Sequence, residues 1–416
     1  MVDLKENLFR VGIGKEDITP SPGLFYLSGY PRHLPFAGVH DRLFARSLSI
    51  SDGRREVLIV STDTFGFSRK TLLKGRNFVS EVRDRIAKRT GLDTGAIMLL
   101  SSHIHSAAET MAARPLEQLP GMAEWLETLA ERIVSSAESA HNDTFDACLK
   151  ANRGEAPGLA MNRRDEPCVD PEMRVLLFES PDKECRISII NFACHPVIVQ
   201  DQDQVSGDFV GALETSVESE VGGMMGCLFI QGMCGDIDPI TASSRNFDDV
   251  DSAARLLTDE ALRQIGEMAD SSYTVQPVDV GTASRTISLP SRPLATQAEI
   301  EAINENVQML REEAVLRVEE GDHPFDMEIQ VVRLGDVCIT GVPGEPFCEM
   351  GIEIKKALEP RIGIPAGYCN GCMGYIATPA AWKAGGYEVM CGTWSLVDQT
   401  AHQTILDTII DLCAKT

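Results

Sequence analysis

The feature that most constrains this chain is a repeated local pattern: a short apolar run, rich in Val, Ile and Leu, that stops at a polar turn. Residues 56–62 (EVLIVST) and 97–101 (IMLLS) are the first such runs, and 173–180, 185–193 and 226–231 follow. Short runs of this kind, bounded by turn residues, predict buried strands. Stretches of helical period alternate with them. Residues 70–90 carry apolar side chains at helical spacing and end at Gly91, a C-cap signal. Residues 121–140, 247–268, 297–319 and 400–413 read as further helices, those at 247–268 and 297–319 long and acidic. Residues 327–333 and 336–342 predict a hairpin around Leu334-Gly335-Asp336, and 285–297 (SRTISLPSRPLAT) reads as a loop. Helices and strands interleaved along the whole chain specify a mixed α/β fold: a multilayer domain of mixed β-sheets flanked by helices. No internal repeat or low-complexity linker interrupts it, so one domain is expected over residues 1–416.

Charge narrows the partners. The 416 residues hold 38 Lys+Arg against 62 Asp+Glu, a formal net charge of -24. Duplex nucleic acid is bound by neutralising its phosphates, and anionic membranes attract basic segments, so a chain this acidic is a poor candidate for either. No apolar stretch reaches the length of a membrane-spanning helix. The first twenty residues lack the basic and apolar regions of a secretory signal. The twelve cysteines fall mostly inside apolar runs, as buried thiols of a reducing compartment do. The expectation is a cytoplasmic protein whose partner is a small-molecule substrate; nothing in the sequence specifies its oligomeric state.

Four of the apolar runs end in turns that carry chemistry. His103 and His105 lie in LLSSHIHSAAE, just after the second run. On an extended backbone they point to one face, at the carboxyl end of a strand, where α/β proteins hold ligands. A His-x-His pair can place two imidazole nitrogens near one metal; two histidines bonded to backbone is the alternative. His195 follows another run in SIINFACHPVIV, and SGDFVG then sets Ser206 and Asp208 before a helical stretch. LFIQGMCGDIDP ends in a Gly-rich turn with Asp236 and Asp238. In ITGVPGEPFCEMG, Glu345 sits between Gly344, which permits an unusual backbone angle, and Pro346, which suits a first helical turn. A helix N-terminal carboxylate is the plainer reading of Glu345. Two His and a carboxylate, with an open position for water, match a catalytic zinc site. A zinc-bound water of lowered pKa is a nucleophile at neutral pH.

With these residues in place, the chain resembles the neutral/alkaline (non-lysosomal) ceramidase family, in its N-terminal catalytic domain. VGIGKEDITP, SGY, AGVHDRLFARSLSISDG, LLSSHIHSAAE, APGLAMNRR, VDPEMRVLLFE, NFACHPV, SGDFVG, QGMCGDIDP, VPGEPFCEMG and MGYIATPAAWKAGGYE follow in that family's order. The resemblance implies one Zn2+ held by His103, His195, Glu345 and Tyr375. It also implies a scissile-bond pocket lined by His105, Arg163 and Tyr387. There His105 would move a proton, Tyr387 would donate to a developing oxyanion and Arg163 would anchor an acceptor.

Two departures bear on substrate. The family's Ser in the GDIDP motif is Asp238 here, and the family's extra C-terminal β domain is not expected. A carboxylate beside an apolar chain is costly unless paired, so Asp238 is a catalytic candidate, as a base acting from behind the site or as a recognition group for a cation or hydroxyl; a turn-forming Asp before Pro239 is the plainer reading. The leading expectation is a zinc-dependent hydrolase that attacks the amide or ester carbonyl of a small soluble substrate through a zinc-activated water. A lactonase or other metalloenzyme acting on a polar carbohydrate-like substrate, a true ceramidase and a non-catalytic metal-binding protein are the alternatives. The lone CNGC at 369–372 reads as structural thiols, with a redox pair or a second metal site as alternatives; His33 and His40 read as structural residues of the opening motifs, with His40 also a candidate substrate contact.

Overall fold

Parallel strands need a crossover, usually a helix, and among the described residues the two larger sheets contain three such pairs. A computed structural model describes residues 8–21, 36–73, 75–111, 120–303 and 308–416. The N-terminal part runs through β1 (Phe9–Asp17), β2 (Gly38–Val39), β3 (Phe44–Ser51), β4 (Glu56–Thr62), α1 (Phe78–Thr90), β5 (Ile97–Ser101) and α2 (Met122–Asn142). Next come β6 (Thr144–Glu155), β7 (Ala160–Asn162), β8 (Glu172–Glu179), β9 (Arg186–Phe192), β10 (Gln204–Val205), α3 (Asp208–Glu220), β11 (Met224–Gln231), β12 (Ile237–Pro239) and α4 (Phe247–Glu267). The remainder is β13 (Val280–Leu289), α5 (Gln297–Ala302), α6 (Gln308–Glu320), β14 (Phe325–Leu334), β15 (Val337–Gly341), β16 (Glu345–Pro346), α7 (Cys348–Leu358), β17 (Ile362–Ala366), β18 (Tyr375–Ile376), α8 (Pro379–Ala384) and α9 (Ala401–Lys415).

The eight-stranded sheet has the order β11-β9-β8-β6-β1-β3-β4-β5, and the four-stranded sheet the order β13-β14-β15-β17. Most neighbours are antiparallel. The exceptions in these two sheets are β4/β5, β9/β11 and β15/β17, which are parallel and enclose α1, α3 and α7 respectively. The layers follow from strand alternation. Leu58, Val60, Ile97 and Leu99 face α1 and α2, while Val57, Ile59, Met98 and Leu100 face the second sheet. Val175, Leu177, Ile190 and Phe229 pack toward α3 and α4, while Leu176, Ile189, Leu228 and Ile230 meet Val332, Ile339 and Ile364 between the sheets. The far face of the small sheet buries Ile329, Val331 and Cys338 under α7 and α9. Strands covered on both faces explain the nearly continuous apolar runs.

The mixed α/β expectation holds, with local corrections. The helix expected from residue 70 starts at Phe78, where the Asn77 side chain caps it by accepting from the Ser80 N–H. Its end at Gly91 is as expected, in the left-handed conformation at φ 78°. The hairpin turns at Gly335, φ 58°, with Leu334 paired to Val337. The helix expected over 297–319 is instead two, α5 and α6, and 304–307 lie outside the described residues. The segment that read as a loop from 285 is the second half of β13, paired with β14 from Val280↔Leu334 to Leu289↔Phe325. Its Ser284, Arg285 and Thr286 are at the surface, so a strand held by backbone pairing carried no apolar signal. The twelve cysteines are free thiols, Cys369 and Cys372 included. Among the described residues, no helix is long and apolar enough to cross a membrane.

Candidate active site

The three parallel pairs of the two larger sheets deliver their carboxyl ends to one place. His103 and His105 follow β5, His195 follows β9, Asp236 and Asp238 follow β11, and Glu345 follows β15. The backbone is not extended where the sequence suggested it: His103 has φ 64°, and β5 ends at Ser101. The rings converge all the same, because the left-handed turn at His103 redirects it over the strand end. Gly344 also works differently from expectation. Its φ is not positive; rather, a Cβ there would sit 2.9 Å from the Gly374 carbonyl oxygen. Pro346 belongs to β16, and α7 begins at Cys348 after an N-cap at Phe347. Gly235 completes the fit, since a Cβ on it would lie 2.4 Å from the Glu345 carbonyl oxygen.

One ligand nitrogen each from His103, His105 and His195 lies within 4.8 Å of the others. Tautomers follow from the outer hydrogen bonds. His103 Nδ1 is 2.6 Å from the Phe65 carbonyl oxygen, and His195 Nδ1 is 3.0 Å from that of Ile237. A carbonyl only accepts, so each Nδ1 carries a hydrogen and each Nε2 is left with a lone pair. Those two Nε2 atoms lie 3.3 Å and 3.5 Å from one oxygen, Glu345 Oε2. His105 Nε2 is 3.1 Å from His103 Nε2. His195 Nε2 and His105 Nδ1 are buried without a hydrogen-bond partner.

Lone pairs and a carboxylate facing one another in a buried pocket repel unless a cation or proton lies among them. Burial holds His103 below the usual imidazole range, and burial together with the neighbouring His103 pushes His105 far lower. Burial works against charge on His195 too, but the Cys234 and Glu345 side chains outweigh it and raise its pKa well above the usual value. Burial would raise Glu345, yet His103 and His195 hold it well below the usual carboxylate range. The competitor for the shared focus is therefore a proton on His195, and metal binding would displace it. The donors, imidazole nitrogens and a carboxylate oxygen with backbone-anchored rings, fit a divalent ion such as zinc.

Beside this cluster is a charged rim. β7 pairs with β12 so that Met161 opposes Asp238, which brings Arg163 alongside. Arg163 Nη1 donates to Asp238 Oδ1 at 3.2 Å, Nε to Glu388 Oε1 at 2.9 Å and Nη2 to the Gly235 carbonyl at 2.7 Å. Asp238 Oδ1 is also 3.7 Å from His195 Nδ1. Asp238 is thus paired, and Arg163 offsets the cost that an unpaired carboxylate would carry there. Arg164 bonds Glu166 at 3.0 Å and Glu388 at 2.6 Å. Burial would raise Glu388, but Arg163 and Arg164 keep it below the usual carboxylate range. Arg163, Arg164, Glu166, Tyr387 and Glu388 line an open cavity of about 540 Å³.

Tyr375 pairs in register with Glu345 through β16 and β18. Its ring lies 5.3 Å from the Arg163 guanidinium and 5.9 Å from the Tyr387 ring. Tyr387 is 41% exposed, stacked on Trp394 at 4.9 Å, and so stands at the cavity wall rather than in the imidazole cluster. His40 lies away at a stacked contact with Phe247, bonded to Asp41 at 2.8 Å, and His33 lies outside the described residues. Sequence reasoning missed Tyr368, Phe65, Arg164 and Glu388. Tyr368 stacks on His103 and Phe65 covers its other side, with ring centroids 4.0 Å and 4.7 Å away. Arg164 and Glu388 adjoin residues already singled out, and only their position next to Arg163 and Tyr387 could have pointed to them.

The comparisons with known proteins agree on one family. The family described as "Neutral/alkaline non-lysosomal ceramidase, N-terminal" matches residues 9–245. The chain is 24% identical to the neutral ceramidase of Mycobacterium tuberculosis, over 94% of this chain and 75% of that protein. It is 23% identical to the neutral ceramidase of Pseudomonas aeruginosa, over 95% of this chain and 71% of the other. Among solved structures, the neutral ceramidase from Pseudomonas aeruginosa superposes with a TM-score of 0.79 at 21% identity, covering 98% of this chain and 74% of that one. A ceramidase complexed with C2 superposes with a TM-score of 0.75 at 19% identity, covering 98% and 75%. At these identities the structural likeness establishes the fold.

Proposed function

The chain belongs to the neutral/alkaline non-lysosomal ceramidase family, and from that premise we propose that it is a divalent-metal-dependent hydrolase that cleaves a ceramide-like N-acyl amide. The observation that carries the reading is the orphaned, buried His195 Nε2, aimed with His103 Nε2 at Glu345 Oε2. His103, His195 and Glu345 would hold the ion, with Tyr375 joining them by its match to the family motif. A metal there supplies Lewis acidity, polarising a carbonyl and lowering the pKa of water. Zinc is the ion this donor set suits best.

The other steps belong to the chain's own side chains. Burial keeps His105 neutral at pH 7, and its unpartnered Nδ1 is free to accept a proton. Tyr387, at the cavity wall, would donate to a developing oxyanion. Arg163, held by Asp238 and Glu388, keeps its guanidinium fixed beside the Tyr375 ring, where it can bind a substrate oxygen. Asp238, where the family motif has a Ser, would serve as an acceptor for a substrate hydroxyl or ammonium.

A small, dispersed substrate with a polar head is the finer reading, favoured by the charged lining of the cavity. The test is a panel of N-acyl amino alcohols of graded chain length, run beside esters and lactones, with release of free amine measured. Amide cleavage that a chelator abolishes and zinc restores is expected, with short or hydroxyl-rich members cleaved best. Cleavage of lactones or esters with no amide turned over would overturn the amide reading. Long-chain ceramide cleaved as fast as the best dispersed substrate would overturn the finer one.

A further inference from the structure

We propose that Tyr368 is a positioning residue of this site: its ring fixes the plane of His103 and its hydroxyl aims Glu345 Oε2 at the imidazoles. The inference rests on the metal reading above and adds a residue that none of the site motifs contains.

Tyr368 lies two residues beyond β17, the last strand of the third parallel pair, and is 1% exposed. Its φ of 52° is left-handed, a conformation that bulky L residues rarely adopt. Such a residue persists only where its surroundings hold it, and these outliers cluster at functional sites. Both of its backbone groups are tied to the turns that carry the site. Its N–H donates to the carbonyl of Gly344, the residue before Glu345, at 2.9 Å. Its carbonyl accepts from the N–H of Ser101, the last residue of β5, at 3.3 Å. Tyr368 therefore bridges the small sheet to the strand that delivers His103.

The side chain acts on the same two residues. Its ring stacks on the His103 imidazole with centroids 4.0 Å apart and planes 17° apart. Phe65 stacks with His103 at 4.7 Å and 15°, so the imidazole is clamped between two aromatic rings. The hydroxyl lies 3.4 Å from Glu345 Oε2, which as a carboxylate oxygen can only accept. The phenol has one hydrogen, so Cys234, 3.6 Å away, donates its S–H to the phenol oxygen. That arrangement fixes the direction of the hydroxyl. The oxygen it holds is the one 3.3 Å from His103 Nε2 and 3.5 Å from His195 Nε2. One side chain thus sets the orientation of a nitrogen donor and of the oxygen donor opposite it. Partners that orient metal ligands from outside are known to matter nearly as much as the ligands.

The experiment measures Co2+ affinity, by competition with a chromophoric chelator, together with the visible spectrum of bound Co2+. Wild type, Tyr368→Phe and Tyr368→Leu are compared. Tyr368→Phe keeps the ring and removes only the hydroxyl. It is expected to weaken Co2+ binding about tenfold and to shift the spectrum, and Tyr368→Leu to weaken it about a hundredfold. With substrate, Tyr368→Phe should lower kcat and leave KM unchanged, because the residue reaches substrate only through His103 and Glu345. A Tyr368→Phe protein with wild-type far-UV dichroism, Co2+ affinity and spectrum would overturn the inference, showing that the residue merely fills space. That variant decides the matter even if Tyr368→Leu does not fold. Wild-type protein that binds no Co2+ would instead overturn the metal reading, and this inference with it.

Discussion

The two halves of the site are bonded in opposite ways. In the deep half, His103, His195 and Glu345 turn acceptors toward one another, and buried nitrogens of His195 and His105 are left without partners. In the outer half, Arg163 and Arg164 are matched by Asp238, Glu388 and Glu166, and Glu388 is shared between the two guanidiniums. The deep half is built on turns at strand ends, whereas the outer half joins Arg163 after β7 and Asp238 in β12 to Glu388 on the turn that follows α8. A group left unsatisfied in a buried place is costly, and it is retained where a ligand supplies what is missing. A satisfied, partly exposed network costs little and can hold the shape of a rim. The deep half therefore reads as the place of chemistry and the outer half as the place of recognition.

Substitutions can break that comparison. The largest effect is expected from His195→Ala, which removes one donor from the unsatisfied half. Amide hydrolysis should fall by at least about a thousandfold, while far-UV dichroism stays that of the wild type. Arg163→Ala strikes the satisfied half. It leaves Asp238 without its cation and Glu388 with Arg164 alone, and should lower stability by about 3 kcal/mol, read from the urea midpoint. Asp238→Ser sharpens the division between the halves. If Asp238 only recognises substrate, the change should raise KM about tenfold with kcat nearly unchanged; a thousandfold loss of kcat would move Asp238 into the chemistry. Glu166→Gln is expected to do least. The Arg164–Glu166 pair is partly exposed, so stability should change by less than about 1 kcal/mol, and substrate affinity should shift only for substrates with a charged head.

The deep half was the more legible in sequence, and the reason is physical. Buried strands announce themselves as apolar runs, and the turns at their carboxyl ends carried His103, His195, Asp238 and Glu345 in plain view. The left-handed backbone at His103 was not legible, since nothing in LLSSHIHS distinguishes it from an extended segment. Tyr368 was hidden for a related reason: an aromatic between Gly367 and Cys369 reads as core, and only the stacking on His103 separates it from one. Tyr375 and Tyr387 entered through the family motif alone. The rim was less legible still, because ion pairs such as Arg163–Glu388 join residues far apart in the chain. β13 went unread as a strand past residue 285 because its solvent-facing side chains are polar, whereas its pairing with β14 is made by the backbone.

The central claim is that the convergence of His103, His195 and Glu345 is a metal site. Elemental analysis of the wild-type protein, purified without any exposure to chelator, tests it most directly. About one tightly held divalent ion per chain, chiefly zinc, is the expected result. Protein that is folded, carries no metal and still hydrolyses its amide substrate in the presence of chelator would contradict the account.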